Sequence, residues 1–196
     1  MKYKVIKREP LYDGFFKLSK YYLSNQLFKG GWSNVYTREV FERGHAAAII
    51  LFDQKQDKLI FVEQFRTGAI ATEQSPWLME LVAGMIETNE QPEEVVCRES
   101  IEEAGLEVLR VKKICDYMTS PGGTTEKVWL YLGEVDSKQV PEYAGLESEN
   151  EDIKVHCVST EQAFNWLQTG YINNAMTIIA LQWLKLNLNE ESSIWD

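Results

Sequence analysis

The stretch Gly84-Met-Ile-Glu-Thr-Asn-Glu-Gln-Pro-Glu-Glu-Val-Val-Cys-Arg-Glu-Ser-Ile-Glu-Glu-Ala-Gly-Leu106 decides the fold class, because it describes a loop that runs into one helix. Pro92 suits the first turn of a helix, where its missing N–H is not needed. Gly105 suits the position just after the last turn. Asn89 and Glu90 lie just upstream, where they could cap the free N–H groups. The sequence therefore predicts a helix that begins at Pro92 and ends just before Gly105.

The predicted helix has one apolar side and one acidic side. A helical wheel at about 100° per residue groups the following residues on the apolar side: Val96, Cys97, Ser100, Ile101 and Ala104. The acidic side carries Glu99, Glu102 and Glu103, with Arg98 beside them. Val95 also falls on the acidic side, so the separation of the two sides is imperfect.

Glu99 and Glu103 stand four residues apart, so their carboxylates project from adjacent turns. Like charges at this spacing destabilise a bare helix by roughly 0.2–0.5 kcal/mol. A bound cation would reverse this penalty, and converging hard oxygen ligands suit Mg²⁺ or Mn²⁺. Two glutamates at this spacing more commonly form a solvated acidic face. The spacing alone leaves both interpretations open.

The whole pattern of the stretch resembles the Nudix box of nucleoside-diphosphate-linked-X hydrolases. The matching positions, at the spacing of that box, are Gly84, Glu90, Arg98, Glu99, Glu102, Glu103, Gly105 and Leu106. Ser100 is a mild departure, since the family usually has an aliphatic residue or alanine there, but it removes no ligand. The resemblance implies a metal-dependent hydrolase with Mg²⁺ as cofactor and Mn²⁺ as an alternative.

Composition and charge exclude several classes of protein. The chain has 196 residues, 44% of them hydrophobic, which predicts a packed soluble core. A formal net charge of −10 argues against a nucleic-acid backbone as the main partner. No apolar run approaches a membrane span, and Met1–Arg8 is basic without the apolar core of a secretory signal. We therefore expect a cytoplasmic protein without a membrane partner.

The cysteines Cys97, Cys115 and Cys157 are odd in number and far apart. They match neither a CxxC zinc pattern nor a disulfide framework. We predict small buried residues in a reducing cytosol.

The N-terminal part of the chain predicts an antiparallel meander of strands rich in aromatic residues. Its segments are Tyr3–Ile6, Leu11–Tyr22 and Val35–Arg43, and Gly30-Gly31 marks a turn before the last of them. We expect residues 1–43 to form this region and residues 44–196 to form the hydrolase domain.

Strands and helices then follow in an order that predicts a layered α/β fold. Strand patterns occupy His45–Phe52, Leu59–Arg66, Trp77–Ala83, Val108–Tyr117, Lys127–Val135 and Ile153–Val158. Helix patterns occupy Thr160–Thr169 and Asn174–Leu188, before a tail, Asn189–Ser193, that we expect to be frayed. This order predicts a mixed sheet with helices on both sides. It agrees with the α/β/α sandwich that the Nudix resemblance implies.

Other segments are similar to bacterial ADP-ribose pyrophosphatases, a subgroup of the Nudix hydrolases. They are Phe41–Ala47, Glu63–Arg66, Pro76–Glu87, Ser120–Thr124, Glu149–Ile153 and Ala180–Leu184. The resemblance implies hydrolysis of ADP-ribose to AMP and ribose 5-phosphate. It also implies a homodimer with exchanged N-terminal strands, in which one subunit helps to bind the other's substrate.

The resemblance assigns the metal ligands and the base. The implied metal ligands are the carbonyl of Ala83 and the carboxylates of Glu99, Glu103 and Glu151. Glu149 is the implied catalytic base. Several acids crowd residues 147–152, and any of them could serve geometrically. That segment is either a disordered solvent loop or a mobile catalytic loop. The implied structural positions of the box are Gly84, Glu90, Arg98, Glu102 and Gly105. Glu102 is a weaker ligand candidate, an ion-pair partner of Arg98 or a residue with no fixed partner.

The resemblance also implies a set of residues that contact the substrate. They are Phe16, Arg38, Glu39, Arg43, Arg66, Met85, Gly122, Gly123 and Glu126. Arg66 and Arg43 would meet phosphate, Arg38 and Glu39 the adenine and ribose end, and Phe16 the adenine ring. Five of them have a plainer alternative: a surface charge for Arg66, a structural ion pair for Arg43, sheet packing for Phe16 and a hairpin turn for the two glycines. We expect His45 and His156 to be structural.

Two other functions compete with this assignment. One is a Nudix hydrolase of another sugar nucleotide, such as GDP-mannose. The other is a non-catalytic module that senses a nucleotide. The complete set of charged residues in the box argues against the sensing module, because a sensor does not need the full set of metal-binding residues.

Overall fold

The computed structural model describes residues 1–72, 75–188 and 194–195. In chain order its strands and α-helices are β1 (Tyr3–Asp13), β2 (Lys17–Asn25), β3 (Tyr36–Glu42), β4 (Ala46–Asp53), β5 (Lys58–Phe65), β6 (Trp77–Glu80), β7 (Val82–Met85), α1 (Pro92–Ala104), β8 (Arg110–Met118), β9 (Lys127–Glu134), β10 (Tyr143–Ala144), β11 (Ile153–Ser159), α2 (Thr160–Thr169) and α3 (Ala175–Asn187). The tail Asn189–Ser193 lies outside the described residues. Among the described helices, none has the length and apolar character needed to cross a membrane.

The chain divides into two compact units. One unit contains residues 1–45 and 117–128, and the other contains residues 46–116 and 129–196. In the first unit, β1, β2 and β3 form an antiparallel sheet in that order. The predicted N-terminal meander is therefore confirmed.

The boundary between β1 and β2 differs from the sequence prediction. The alternation of Leu11–Tyr22 predicted one continuous strand, but the chain turns back after Asp13 and pairs Asp13 with Lys17. The connection is Gly14-Phe15-Phe16, and connections of three to five residues that contain glycine are common between paired strands. This short connection interrupts the alternating pattern on either side of it.

The second unit contains a large sheet in the order β10-β11-β5-β4-β9-β8, with β6 beside β5 and β7 beside β4. Every residue of the central strand β4 is buried, because helices cover both faces of the sheet. Alternate residues Ala47, Ile49 and Leu51 share one core cluster with Val95 and Val96 of α1. The first face of the sheet therefore packs against α1.

The opposite face packs against α2 and α3. Phe61 of β5 meets Trp166 of α2 edge to face, with their ring centroids 5.9 Å apart. α3 contacts both β4 and α2. The predicted α/β sandwich, with a mixed sheet between helical layers, is confirmed.

Helix α1 has the predicted bounds but a different N-terminal cap. Gln91 is the capping residue, and its N–H donates to Glu94 Oε2 at 2.8 Å. Neither of the predicted caps, Asn89 and Glu90, caps the helix. Asn89 adopts a left-handed conformation with φ +72°, and the Glu90 carboxylate binds Arg98 instead.

The buried side of α1 also differs from the wheel. Val95 and Glu103 are buried, whereas Ile101 is 55% exposed. The helix turns this side to β4 and β7. Glu103 can lie there because Ala83 N–H and the Gln64 amide both donate to its carboxylate.

The predicted burial of the cysteines is wrong. Cys157 is exposed, and Cys97 and Cys115 are half-buried. Cys115 lies on β8, at the edge of the sheet, and Cys97 lies beside the charged Arg98. Position within the fold therefore outweighs the general preference of cysteine for the interior.

Candidate active site

The Nudix-like stretch brings β7 against α1 without space for a side chain at Gly84. A methyl group at this position would overlap the carboxylate of Glu99. Gly84 is also paired with Ala47 in the sheet, so the strand cannot move away easily. Glycine is therefore required for Glu99 to lie over this strand.

Arg98 ties the loop before α1 to the acidic side of the helix. Its Nε donates to Glu90 Oε1 at 2.9 Å, and its Nη1 donates to Glu99 Oε1 at 2.8 Å and to Glu102 Oε2 at 3.0 Å. The hydrogen bond that Arg98 donates to Glu90 is the largest cause of the raised pKa of Arg98. The same bond lowers the pKa of Glu90. The guanidinium thus offsets the repulsion between neighbouring carboxylates.

Glu103 is a buried carboxylate at the centre of the site, with only 2% of its surface exposed. Its Oε2 accepts from Ala83 N–H at 3.0 Å, and its Oε1 accepts from Gln64 Nε2 at 3.3 Å. Burial raises the pKa of Glu103 to about 8, against the opposing hydrogen bond from Ala83. Repulsion from Glu99 raises it further.

The chemistry of these groups fits a divalent cation. Burial also raises the pKa of Glu99, and the charges of Glu102 and Glu151 add to that effect. The described part of the chain contains no group of three or more His, Cys, Asp or Glu side chains already arranged to hold a metal ion. The donors are nevertheless hard oxygens, and a buried carboxylate without a full counter-charge favours a bound cation.

The acidic segment after β10 contains a short turn that is attached to α1. Glu147–Glu149 is one 3-10 turn, and Asn150 follows it with φ +57°. Gly145 N–H donates to the carbonyl of Glu102 at 2.9 Å, which attaches the segment to α1. Glu151 is half-buried and Glu149 is exposed.

Arg66 lies at the end of β5 and is paired with a buried acid. Its Nε donates to Glu80 Oε2 at 2.6 Å, and Glu80 is 5% exposed. The positive charge of Arg66 acts on Glu103, where it opposes part of the effect of burial on the pKa. Arg66 is therefore paired with Glu80 and acts electrostatically on Glu103, unlike an isolated surface charge.

Two polar residues of the site, Gln64 and Glu80, escaped the sequence analysis. Gln64 contacts Glu103, and Glu80 holds Arg66. Both residues are buried next to apolar residues of their strands. A polar residue in such a strand is the signal that could have identified them.

The other predicted contact residues form a cluster in the first unit. Arg43 Nε lies 3.2 Å from Glu126 Oε1, and the Arg43 guanidinium lies 5.5 Å from the centroid of the Phe16 ring. The Phe16 ring meets Phe41 edge to face at 5.3 Å. Arg43 thus has the structural ion pair that the sequence left open, and Phe16 has neighbours in the sheet.

The other predicted contact residues of the first unit include exposed groups. Arg38 lies over the ring of Tyr36, 4.8 Å from its centroid, and Glu39 is exposed. Gly123 accepts from Phe41 N–H at 2.8 Å, which joins the glycine loop to β3. A methyl group at Gly122 or Gly123 would meet no atom within 4 Å, so the open side of the loop has space for a ligand.

The remaining predicted residues occupy separate places. In the second unit, Met85 ends β7 and is 37% exposed, and His156 Nε2 lies 2.8 Å from Glu63 Oε2. In the first unit, His45 Nδ1 accepts from Lys127 N–H at 3.2 Å. Both histidines therefore have bonds to neighbouring strands.

Comparison with known proteins identifies the family. The model of the NUDIX domain matches residues 42–178, which is more than half of the chain. This chain belongs to the Nudix family.

Curated Nudix relatives extend the match over almost the whole chain. "ADP-ribose pyrophosphatase" of Escherichia coli (strain K12) is 48% identical over 192 residues, covering 98% of this chain and 92% of the relative. The protein of that name from Haemophilus influenzae is 46% identical, covering 98% of this chain and 90% of the relative. "GDP-mannose pyrophosphatase" of Enterobacter sp. (strain 638) is 34% identical, covering 95% of this chain and 97% of the relative.

A solved structure supports the Nudix fold independently of close sequence identity. The chain described as "Crystal structure of ADP compounds hydrolase" superposes with a TM-score of 0.72. The match covers 95% of this chain and 94% of that chain at 18% identity. At that identity the likeness concerns the fold alone.

Proposed function

We propose that this Nudix protein hydrolyses the diphosphate of ADP-ribose to AMP and ribose 5-phosphate, with Mg²⁺ as cofactor and Mn²⁺ as an alternative. The observation that carries the proposal is the 48% identity, over 98% of the chain, to relatives named for ADP-ribose. Relatives named for GDP-mannose are more distant, at 34% identity. The free thiols of the chain suit the reducing cytosol, so the proposal includes a cytoplasmic location.

Four residues of the second unit would hold the metal. They are Glu99, Glu103 and Glu151 through their carboxylates and Ala83 through its carbonyl. A bound divalent cation supplies charge neutralisation on the diphosphate and lowers the pKa of bound water. The protein supplies the oxygens, and Gly84 and Arg98 keep Glu99 over β7.

Glu149 is the proposed base. Its exposed carboxylate can accept the proton of the attacking water as the new P–O bond forms. The bond from phosphorus to the bridging oxygen then breaks, and AMP and ribose 5-phosphate leave. Glu149 lies on the turn that Gly145 attaches to α1, which supports its access to the site.

Arg66 is the proposed contact for the diphosphate, since its guanidinium offers several donors to an anion. Glu80 occupies Nε. The ion pair therefore orients the remaining N–H donors of Arg66. Glu80 contributes to substrate binding in this way without contacting the substrate.

Glu80→Gln should raise KM for ADP-ribose about tenfold with a smaller change in kcat. The substitution keeps the shape of the side chain but removes the charge that holds Arg66, and a hydrogen bond to a charged group contributes about 1.5–3 kcal/mol. Glu63→Gln is the matched control, since Glu63 pairs with His156 on a neighbouring strand. Steady-state kinetics compare the two variants. Equal KM values in both would remove Glu80 from the proposal.

The first unit is proposed to contact the adenosine and ribose ends of the substrate. Phe16, Arg38 and Glu39 would contact the adenosine end, and Arg43 phosphate. The remaining proposed contacts of the substrate are Met85, Gly122, Gly123 and Glu126. Their support is the residue-by-residue match to the family, together with the open space beside the glycine loop.

We further propose a homodimer in which residues 1–43 exchange strands between subunits. Strand β1 and the connections that follow β1 and β2 expose many apolar side chains in the single chain: Tyr3, Val5, Ile6, Leu11, Tyr12, Phe15 and Phe28. Exposed apolar surface on this scale suits burial against a second copy. A monomeric mass by light scattering at micromolar concentration would contradict this proposal.

The reaction itself is tested with purified protein, with and without Mg²⁺, and separation of the products by chromatography. The substrates are ADP-ribose, GDP-mannose, diadenosine polyphosphates and NADH. We expect AMP and ribose 5-phosphate from ADP-ribose only when metal is present. Cleavage of GDP-mannose without cleavage of ADP-ribose would favour the other sugar-nucleotide hydrolase. Tight binding of ADP-ribose without metal-dependent release of AMP would favour the sensing module.

A further inference from the structure

Gly145 connects strand β10 to the acidic turn and has a backbone conformation that suits glycine. Its φ is +99°, a value that side chains with a Cβ rarely adopt. The residue directly follows Ala144, the last residue of β10, and precedes the turn Glu147–Glu149. The direction of the acidic segment is thus set at this one residue.

Two contacts fix Gly145 between α1 and the end of the segment. Its N–H donates to the carbonyl of Glu102, in the last turn of α1, at 2.9 Å. A methyl group on Gly145 would lie 2.8 Å from the carbonyl oxygen of Glu151 and 3.1 Å from its Cβ. The first of these neighbours is backbone, so a larger residue must displace the chain rather than rotate a side chain.

The segment beyond Gly145 is closed on itself by short-range hydrogen bonds. Glu149 N–H and Glu151 N–H both donate to the carbonyl of Leu146, at 3.0 and 3.1 Å. Asn150 N–H donates to the carbonyl of Glu147 at 3.1 Å. These bonds link Glu149 and Glu151 to Leu146, the residue after Gly145, so we expect a displacement at Gly145 to reach both acids.

The attachment also places Glu151 near the end of α1. The carbonyl oxygen of Glu151 lies beside Gly145, and the Gly145 N–H is bonded to the last turn of α1. Glu151 is half-buried there, whereas Glu149 and Asp152 are exposed.

We propose that Gly145 is a positioning residue, whose backbone holds residues 146–151 against α1 and so determines where the carboxylates of Glu149 and Glu151 stand. Its catalytic consequence rests on the proposed function of these two acids. The attachment of the turn by Gly145 does not rest on that function, because it can be measured without any substrate.

The test compares Gly145→Ala with Gly30→Ala by hydrogen–deuterium exchange. Gly30 has a similar φ of +93°, but a methyl group there would meet no atom within 4 Å. The control therefore shows whether a strained alanine elsewhere in the chain is enough to change exchange in residues 146–151. We expect faster exchange in residues 146–151 of Gly145→Ala, and wild-type exchange in that segment of Gly30→Ala. Unchanged exchange there in Gly145→Ala would overturn the proposal.

Kinetics then separate positioning from a general loss of stability. We expect Gly145→Ala to lower kcat by about 10²-fold, since a displacement of about 1 Å in a catalytic group can have that effect. KM for ADP-ribose should stay within about twofold, because the turn acts on the reaction step. A variant of wild-type kcat would overturn the positioning role. If the wild type cleaves no ADP-ribose, the proposed function fails, and the exchange experiment still decides the role of Gly145.

The wild-type protein provides a measurement that does not depend on the folding of a variant. The amide of Gly145, bonded to Glu102, should exchange much more slowly by NMR than an unstructured glycine amide. Exchange at the unstructured rate would show that the turn is not attached to α1 and would overturn the proposal.

Discussion

Replacing Glu103 with glutamine should lower the turnover of ADP-ribose by about 10³-fold while the protein stays folded. The proposed metal contact needs a carboxylate, and each 1.36 kcal/mol, roughly, of lost transition-state stabilisation reduces the rate about tenfold. Glutamine has the same shape and can still accept from Ala83 N–H. The neighbouring Gln64 amide can rotate to present its oxygen to the new amide. A near-wild-type kcat in this variant would contradict the assignment of Glu103 to the metal.

The same substitution should change how stability depends on pH in the absence of metal. The pKa of Glu103 is raised from 4.5 to about 8 in the folded protein. Between these values the folded state keeps a proton that the unfolded state loses, so the free energy of unfolding decreases as pH rises. The stability that protonated Glu103 contributes is complete below pH 4.5 and is lost as pH rises through 8. The slope is at most about 1.4 kcal/mol per pH unit.

Thermal unfolding in the presence of a chelator measures this dependence. Across the window, wild-type Tm should fall relative to that of Glu103→Gln by roughly 2–4 °C per kcal/mol. Glu107→Gln is the control, because Glu107 is exposed just beyond α1. Parallel pH profiles for wild type and Glu103→Gln would mean that Glu103 is ionised in the metal-free fold, against the effect of its burial.

Local signals explain which parts of the fold could be predicted from sequence. Pro92 favours the start of a helix and Gly105 favours its end through local effects alone, and α1 has the predicted bounds. The cap was predicted at Asn89 or Glu90 and not at Gln91, because the sequence does not show that the Glu90 carboxylate binds Arg98, eight residues along the chain. A prediction of the cap from sequence considers the residues next to the start of the helix, but not a competing partner such as Arg98 further along the chain.

Long-range packing explains what could not be predicted. A helical wheel shows that a helix has two sides, but not how the helix is rotated against a sheet. The buried side of α1 includes Val95 and Glu103 because β7 supplies the Ala83 N–H and β5 supplies the Gln64 amide. Glu80 becomes part of the site only through β6, which brings it to Arg66.

Glu149→Gln and Glu151→Gln should separate proton transfer from metal binding. Glu149 is exposed on the turn, so its carboxylate is available to accept a proton. Its replacement should lower kcat by about 10²–10⁴-fold, the usual contribution of general base catalysis. Glu151 is half-buried, and its charge acts on Glu99. Its replacement should raise the Mg²⁺ concentration needed for half-maximal activity, because a carboxylate ligand is lost.

The decisive comparison is the metal dependence of each variant, measured both by activity and by direct Mn²⁺ binding. Glu149→Gln should bind Mn²⁺ like the wild type and remain slow at saturating metal. Glu151→Gln should bind Mn²⁺ more weakly and recover part of its rate as metal is added. Asp152→Asn removes an exposed acid from the same segment and should affect neither property. If Glu151→Gln were slow at every metal concentration and Glu149→Gln were rescued by metal, the two roles would be exchanged: Glu151 would accept the proton, and the exposed Glu149 would reach the cation.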